Sequence, residues 1–137
     1  MKIRVALTGG GTGGHLFPLL AVADQLINTA QTQGVDLRLT YFGPRNEMAD
    51  EFVARDIAIG SIASSKLRRY WDIRNIIDIP MFFIGIIQAL IRLYEEMPDV
   101  LFSKGGPGAL PVVLAAKFYA IPIVIHESDA IPSLTTR

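Results

Sequence analysis

The chain has 137 residues, half of them apolar, with thirteen basic and thirteen acidic side chains, no cysteine and zero formal net charge. This composition fits one folded domain with a real core and excludes a disordered segment. It also excludes disulfides, thiolate metal sites and a general electrostatic attraction to nucleic acid.

The N-terminus reads as a first buried strand over 3–7 that stops at Thr8-Gly9-Gly10. That apolar run is too short for a secretory core, so the expectation is a cytoplasmic protein. Leu16, Leu19, Leu20, Ala23, Leu26 and Ile27 recur at helical spacing over 15–30, with Gly34 closing the helix. A second strand over 37–42 ends at Gly43-Pro44, Asn46 caps a short helix reaching Arg55, and a third strand follows over 57–62. A basic loop precedes a largely helical stretch over 73–97, in which Pro80 predicts a kink or restart. A fourth strand over 99–102, a second glycine loop over 105–108, a helix over 111–119 and a fifth strand over 121–125 complete the pattern. The longest uncharged apolar run, 79–91, falls short of the ~20 residues a spanning helix needs.

Strands alternating with helices predict an α/β fold, a Rossmann-like doubly wound parallel sheet with right-handed crossovers. The strand order 3-2-1-4-5 is expected by analogy with such domains. One domain over 1–137 is expected, and the ending at Arg137, without a closing helix, looks like a cut.

The first glycine loop, Thr8 to His15, has five glycines within the six residues 9–14. Missing side chains let a backbone approach a ligand closely, and a helix start presents unpaired N–H groups; together they suit a phosphate. Gly9, Gly11 and Gly14 also match the dinucleotide fingerprint, but the second strand ends without an acid, and Arg45 would suit only a 2′-phosphate. A nicotinamide- or flavin-binding domain of an oxidoreductase therefore stays open. The P-loop reading fails, because no Lys-Ser or Lys-Thr closes the loop. His15, at the helix start, is a candidate base or donor, or simply a surface cap.

The second loop, Ser103-Lys104-Gly105-Gly106, offers N–H groups and the charge of Lys104 for a second anionic group. Because the order of strands reverses between the first and the fourth, both loops should line one cleft. The fifth strand runs into His126-Glu127-Ser128-Asp129. Glu127 either accepts hydrogen bonds from a sugar or is satisfied by backbone N–H groups.

The one dense basic and aromatic cluster, Lys66 to Arg74, precedes the apolar helix. Ile76, Pro80, Phe83, Ile87, Leu90 and Tyr94 form a stripe expected to face the sheet, leaving Ile79, Met81, Phe82 and Ile86 for a second buried face against protein or lipid. Arg68, Arg69, Trp71, Phe82 and Ile86 are the candidate contacts with an anionic bilayer surface.

The run Gly10-Gly11-Thr12-Gly13-Gly14-His15-Leu16-Phe17-Pro18, continuing Leu20-Ala21-Val22-Ala23, resembles the opening motif of the MurG-type transferases, glycosyltransferase family 28. The second loop is similar to that family's Gly-x-Gly-Gly-Tyr, with Ser103 and Pro107 replacing the first glycine and the tyrosine. The strand end resembles its His-Glu-Gln-Asn, with Ser128 and Asp129 in the last two places. Ser133 and Thr136 stand where the family usually has Gly and Asn.

The resemblance implies the N-terminal half of a GT-B glycosyltransferase, an inverting enzyme without metal or other cofactor. Its reaction moves N-acetylglucosamine from UDP-GlcNAc to the lipid-linked muramyl-pentapeptide diphosphate of peptidoglycan synthesis. It implies His15 and Glu127 as catalytic candidates. It also implies substrate contacts at Gly11, Thr12, Gly13, Gly14, Lys104, Gly105, Gly106 and Asp129. The expected place is the inner leaflet of the cytoplasmic membrane, as a peripheral protein. The donor half would come from a missing C-terminal domain or from a partner chain in a split transferase, and the chain alone should not turn over.

Overall fold

The structure is a computed structural model and describes residues 1–10, 13–45, 49–64 and 75–126. Its elements, in chain order, are β1 Lys2–Thr8, α1 Gly13–Gln33, β2 Asp36–Gly43, α2 Asp50–Val53, β3 Ala58–Ser61, α3 Asn75–Glu96, β4 Val100–Ser103, α4 Leu110–Phe118 and β5 Ile123–Ile125. The strands form one five-stranded sheet in the order β3-β2-β1-β4-β5 with every pairing parallel, the expected Rossmann-like arrangement.

Two cores, one on each face of the sheet, explain why the fold is doubly wound. Val5, Leu7, Leu39 and Tyr41 meet Leu16, Leu19, Ala23 and Phe52 on the face covered by α1 and α2. Ala6, Phe42 and Leu101 meet Ala89, Leu93, Val112 and Ala116 on the face covered by α3 and α4. Successive strand residues point to opposite faces, so β1 and β2 must be apolar on both.

Four helix-to-strand returns share one device. Gly34 follows α1 at φ 66°, Asp56 follows α2 at 58°, Met97 follows α3 at 42° and Ala120 follows α4 at 55°. The N–H of Val35 then reaches Ala30 O at 2.9 Å, that of Ile57 reaches Phe52 O at 3.0 Å, and that of Ile121 reaches Ala116 O at 2.9 Å. These left-handed caps satisfy carbonyls that the helix end leaves unpaired and turn the chain straight into the next strand.

At the amino end of the sheet, Arg38 holds Glu96 through Nε to Oε1 at 2.7 Å and Nη2 to Oε2 at 3.1 Å. Thr40 Oγ1 donates to the same carboxylate at 3.2 Å. The N–H of Arg4 donates to Asp99 Oδ2 at 2.8 Å, and its guanidinium donates to Glu96 O at 3.0 Å. The C-terminus of α3 is thereby fixed under β1 and β2.

The structure corrects the expected orientation of α3. Its sheet-facing residues are Gly85, Ala89 and Leu93, while Phe83, Ile87 and Tyr94, expected inside, are 59%, 57% and 67% exposed. Phe82, Ile86 and Leu90 are half-buried flanks. Small residues decide the rotation. A Cβ on Gly85 would lie 2.3 Å from Ala63 O, so this glycine lets the helix backbone touch the chain leaving β3. The N–H of Ala63 donates to Gln88 Oε1 at 2.7 Å, one turn further along. The helix also runs through Pro80 without interruption, as α1 runs through Pro18. Each proline sits near its helix start, where only one intrahelical bond is lost.

Candidate functional site

The carboxyl ends of β1, β2, β4 and β5 converge on a short stretch of backbone. Thr8 is fully buried and its Oγ1 donates to Phe42 O at 2.7 Å, tying the end of β1 to β2. On the other side the N–H of Lys104 donates to Thr8 O at 2.9 Å, tying β1 to β4. The N–H of His126 donates to Ser103 O at 2.9 Å, which brings the end of β5 alongside.

The two glycine loops meet directly. The N–H of Gly10 donates to Gly105 O at 2.9 Å, across the point where the strand order reverses. In an open parallel sheet, that reversal is where the crevice beyond the strand ends forms. Gly108 closes the contact from the side of α4: a Cβ there would stand 3.3 Å from Gly9 O and 3.4 Å from Pro44 Cδ. The loop after β2 is thus a third wall, which the sequence pattern did not indicate.

Gly105 and Gly106 adopt φ values of 81° and 92°, open to glycine and strained for any residue with a Cβ. Their conformation spends part of the loop's donor capacity internally. The N–H of Gly105 donates to Ser103 Oγ at 3.2 Å, and that of Lys104 is taken by Thr8 O. These two amides, expected to face an anion, are committed within the protein. Lys104 is only 3% exposed, so its charge lies within the loop rather than in solvent.

The other loop opens into α1, whose first turn begins at Gly13 and carries no acidic side chain. First-turn amides have no intrahelical acceptor, and the helix dipole places partial positive charge there. Gly14 is exposed, and a Cβ on it would meet nothing within 4 Å, so space lies open in front of that turn. For His15 the backbone in this turn is described, but not the side chain. Gly11, Thr12, Glu127, Asp129, Arg68, Arg69 and Trp71 lie outside the described residues, as does Asn46.

Below the site, Tyr41 stacks on Phe52 with ring centroids 4.5 Å apart and planes 8° from parallel. Its hydroxyl is buried without a hydrogen-bond partner, and burial pushes its pKa up to about 12. Among the described residues, no three His, Asp or Glu side chains gather as a metal site would require. No helix among them is long and apolar enough to cross a membrane.

Residues 5–137 match the glycosyltransferase family 28 N-terminal domain. A UDP-N-acetylglucosamine–N-acetylmuramyl-(pentapeptide) pyrophosphoryl-undecaprenol N-acetylglucosamine transferase of Clostridium perfringens is 39% identical over 137 residues, covering 99% of this chain and 37% of the relative. The enzyme of the same name from Legionella pneumophila is 39% identical over 138 residues, covering 100% of this chain and 36% of the relative. The crystal structure of Acinetobacter baumannii MurG superposes with a TM-score of 0.77 at 30% identity, covering 97% of this chain and 37% of that one. The chain therefore spans little more than a third of the length of these relatives.

Proposed function

Because the chain belongs to the glycosyltransferase family 28 N-terminal domain family, we propose that it is the acceptor-holding half of a transferase. That enzyme moves N-acetylglucosamine from UDP-GlcNAc to a lipid-linked muramyl-pentapeptide diphosphate. The observation that carries this reading is the contact of Gly10 with Gly105, which joins the two glycine loops at the sheet's reversal point. A diphosphate placed there meets the first-turn amides of α1, with Lys104 in the loop beside it. The acceptor hydroxyl is then held near the start of α1, where His15 is the candidate to take its proton as the new glycosidic bond forms.

The donor half lies outside these residues, in further chain or in a partner chain. Gly11, Thr12, Gly13 and Gly14 are the candidate contacts from this half, together with Glu127 and Asp129, which follow β5 in the sequence. The exposed apolar stripe of α3, built from Phe83, Ile84, Ile87, Ile91 and Tyr94, rests on the inner leaflet of the cytoplasmic membrane. The basic run with Arg68, Arg69 and Trp71 adds attraction to anionic lipid.

Vesicles carrying undecaprenyl diphosphate, compared with vesicles carrying undecaprenol, test the reading. The protein binds the diphosphate vesicles more tightly if the loops hold the diphosphate. Equal binding to both overturns that role, and complete transfer activity from these 137 residues alone would overturn the division into halves.

A further inference from the structure

The geometry points to Ser103 as a positioning residue that, through Gly105, holds Gly10 at the end of β1 from the far side of the reversal point. This rests on the acceptor-holding reading for its functional meaning, but the structural part stands on three hydrogen bonds. Ser103 is 1% exposed, and its Oγ accepts the N–H of Gly105 at 3.2 Å. The carbonyl of that same Gly105 accepts the N–H of Gly10 at 2.9 Å. The carbonyl of Ser103 accepts the N–H of His126 at 2.9 Å.

The Ser103 side chain therefore holds the Lys104–Gly105 peptide, next to the Gly105–Gly106 peptide whose carbonyl receives Gly10, while its main chain holds the end of β5. Gly105 has φ 81° and its neighbour Gly106 has φ 92°, so neither residue restricts its own backbone. Glycines populate many conformations, and a loop built from them needs an outside constraint to hold one. The Ser103 hydroxyl supplies it. That hydroxyl does not touch substrate in this role; it orients Gly105, which orients Gly10.

Amide hydrogen exchange read residue by residue tests the relay in the intact chain, using Ser103→Ala and Ser103→Thr. Removing one hydrogen bond worth about 1 kcal/mol speeds exchange at the Gly10 amide roughly fivefold in the alanine variant. The threonine variant, which keeps the hydroxyl, restores protection. The Gly34 amide, which caps α1 at the opposite end of the sheet by donating to Gln31 O, serves as the remote control and stays unchanged. Unchanged exchange at Gly10, or an equal rise at Gly10 and Gly34, overturns the role of Ser103. Titration with inorganic pyrophosphate separates the two layers. A wild-type protein that binds no pyrophosphate contradicts the diphosphate reading, whereas the exchange at Gly10 alone decides the relay.

Discussion

The Gly10 N–H and the Gly105 carbonyl, 2.9 Å apart, join loops that leave two different strands of the sheet. The bond forms because β1 and β4 are neighbours, with Thr8 opposite Ser103 at the ends of their ladder. It requires Gly105 to hold a left-handed backbone, and Gly106 after it to hold another.

Gly106→Ala tests that backbone directly. A Cβ at φ 92° is strained by about 1–2 kcal/mol, and relief requires a change in the backbone next to the Gly105 carbonyl that receives Gly10. The expected result is a loss of that size in urea unfolding, together with weaker pyrophosphate binding. A variant as stable as the parent would show that the loop tolerates another conformation.

Gly85→Ala addresses the seat of α3. Alanine is favoured over glycine inside a helix by about 1 kcal/mol, but overpacking against a fixed group costs about 1–3 kcal/mol. The obstacle here is the backbone oxygen of Ala63, 2.3 Å from the added Cβ, and Ala63 is itself held by Gln88. The clash wins, and the melting temperature falls. An unchanged or higher value would mean that α3 slides without penalty.

Much of this arrangement is legible in the sequence, and the exceptions have physical causes. The alternation of strands and helices indicates the doubly wound sheet, its strand order comes by analogy with such domains, and the shared place of the two glycine loops follows from that order. The facing of α3 is not legible, because the helix is apolar nearly all round and its periodicity names no single face. The choice rests on Gly85 and Ala89, where the absence of bulk matters more than hydrophobicity. The caps at Asp56, Met97 and Ala120 are hidden for a related reason: residues other than glycine occupy left-handed positions there. Ser103 was visible only as a departure from a motif, and its hydrogen bond to Gly105 needs the folded loop to exist.

Tyr41→Phe removes a buried hydroxyl that has no partner, so stability at neutral pH is expected to hold or to rise slightly. The effect is larger in alkali. The folded tyrosine has its pKa raised from 10.0 to about 12, so it keeps its proton where the unfolded chain loses it. The contribution of Tyr41 is fully present below pH 10 and is lost as pH rises toward 12, by up to about 1.4 kcal/mol per pH unit. Denaturant melts across this window should fall more steeply for the parent than for the phenylalanine variant. Parallel curves would show that the hydroxyl is not held in its neutral form.

Ile87→Glu places a charge in the middle of the exposed stripe of α3, where Ile87 is 57% exposed and packs little. The fold should be unaffected, while binding to vesicles of anionic lipid should drop by about tenfold or more, as expected for losing a buried apolar side chain at an interface. Sedimentation with vesicles measures it. Arg68→Glu with Arg69→Glu should lower binding in the same assay, with the salt dependence of a screened attraction. Binding unchanged by either alteration would remove the membrane from the account.

The most direct measurement is a titration of the labelled protein with inorganic pyrophosphate, following each backbone amide by nuclear magnetic resonance. Saturable shifts at Gly10, Gly13 and Gly14, with Gly34 unmoved, are what a diphosphate held by the joined glycine loops predicts. Shifts confined to other surfaces, or none at those glycines at any concentration, would contradict it.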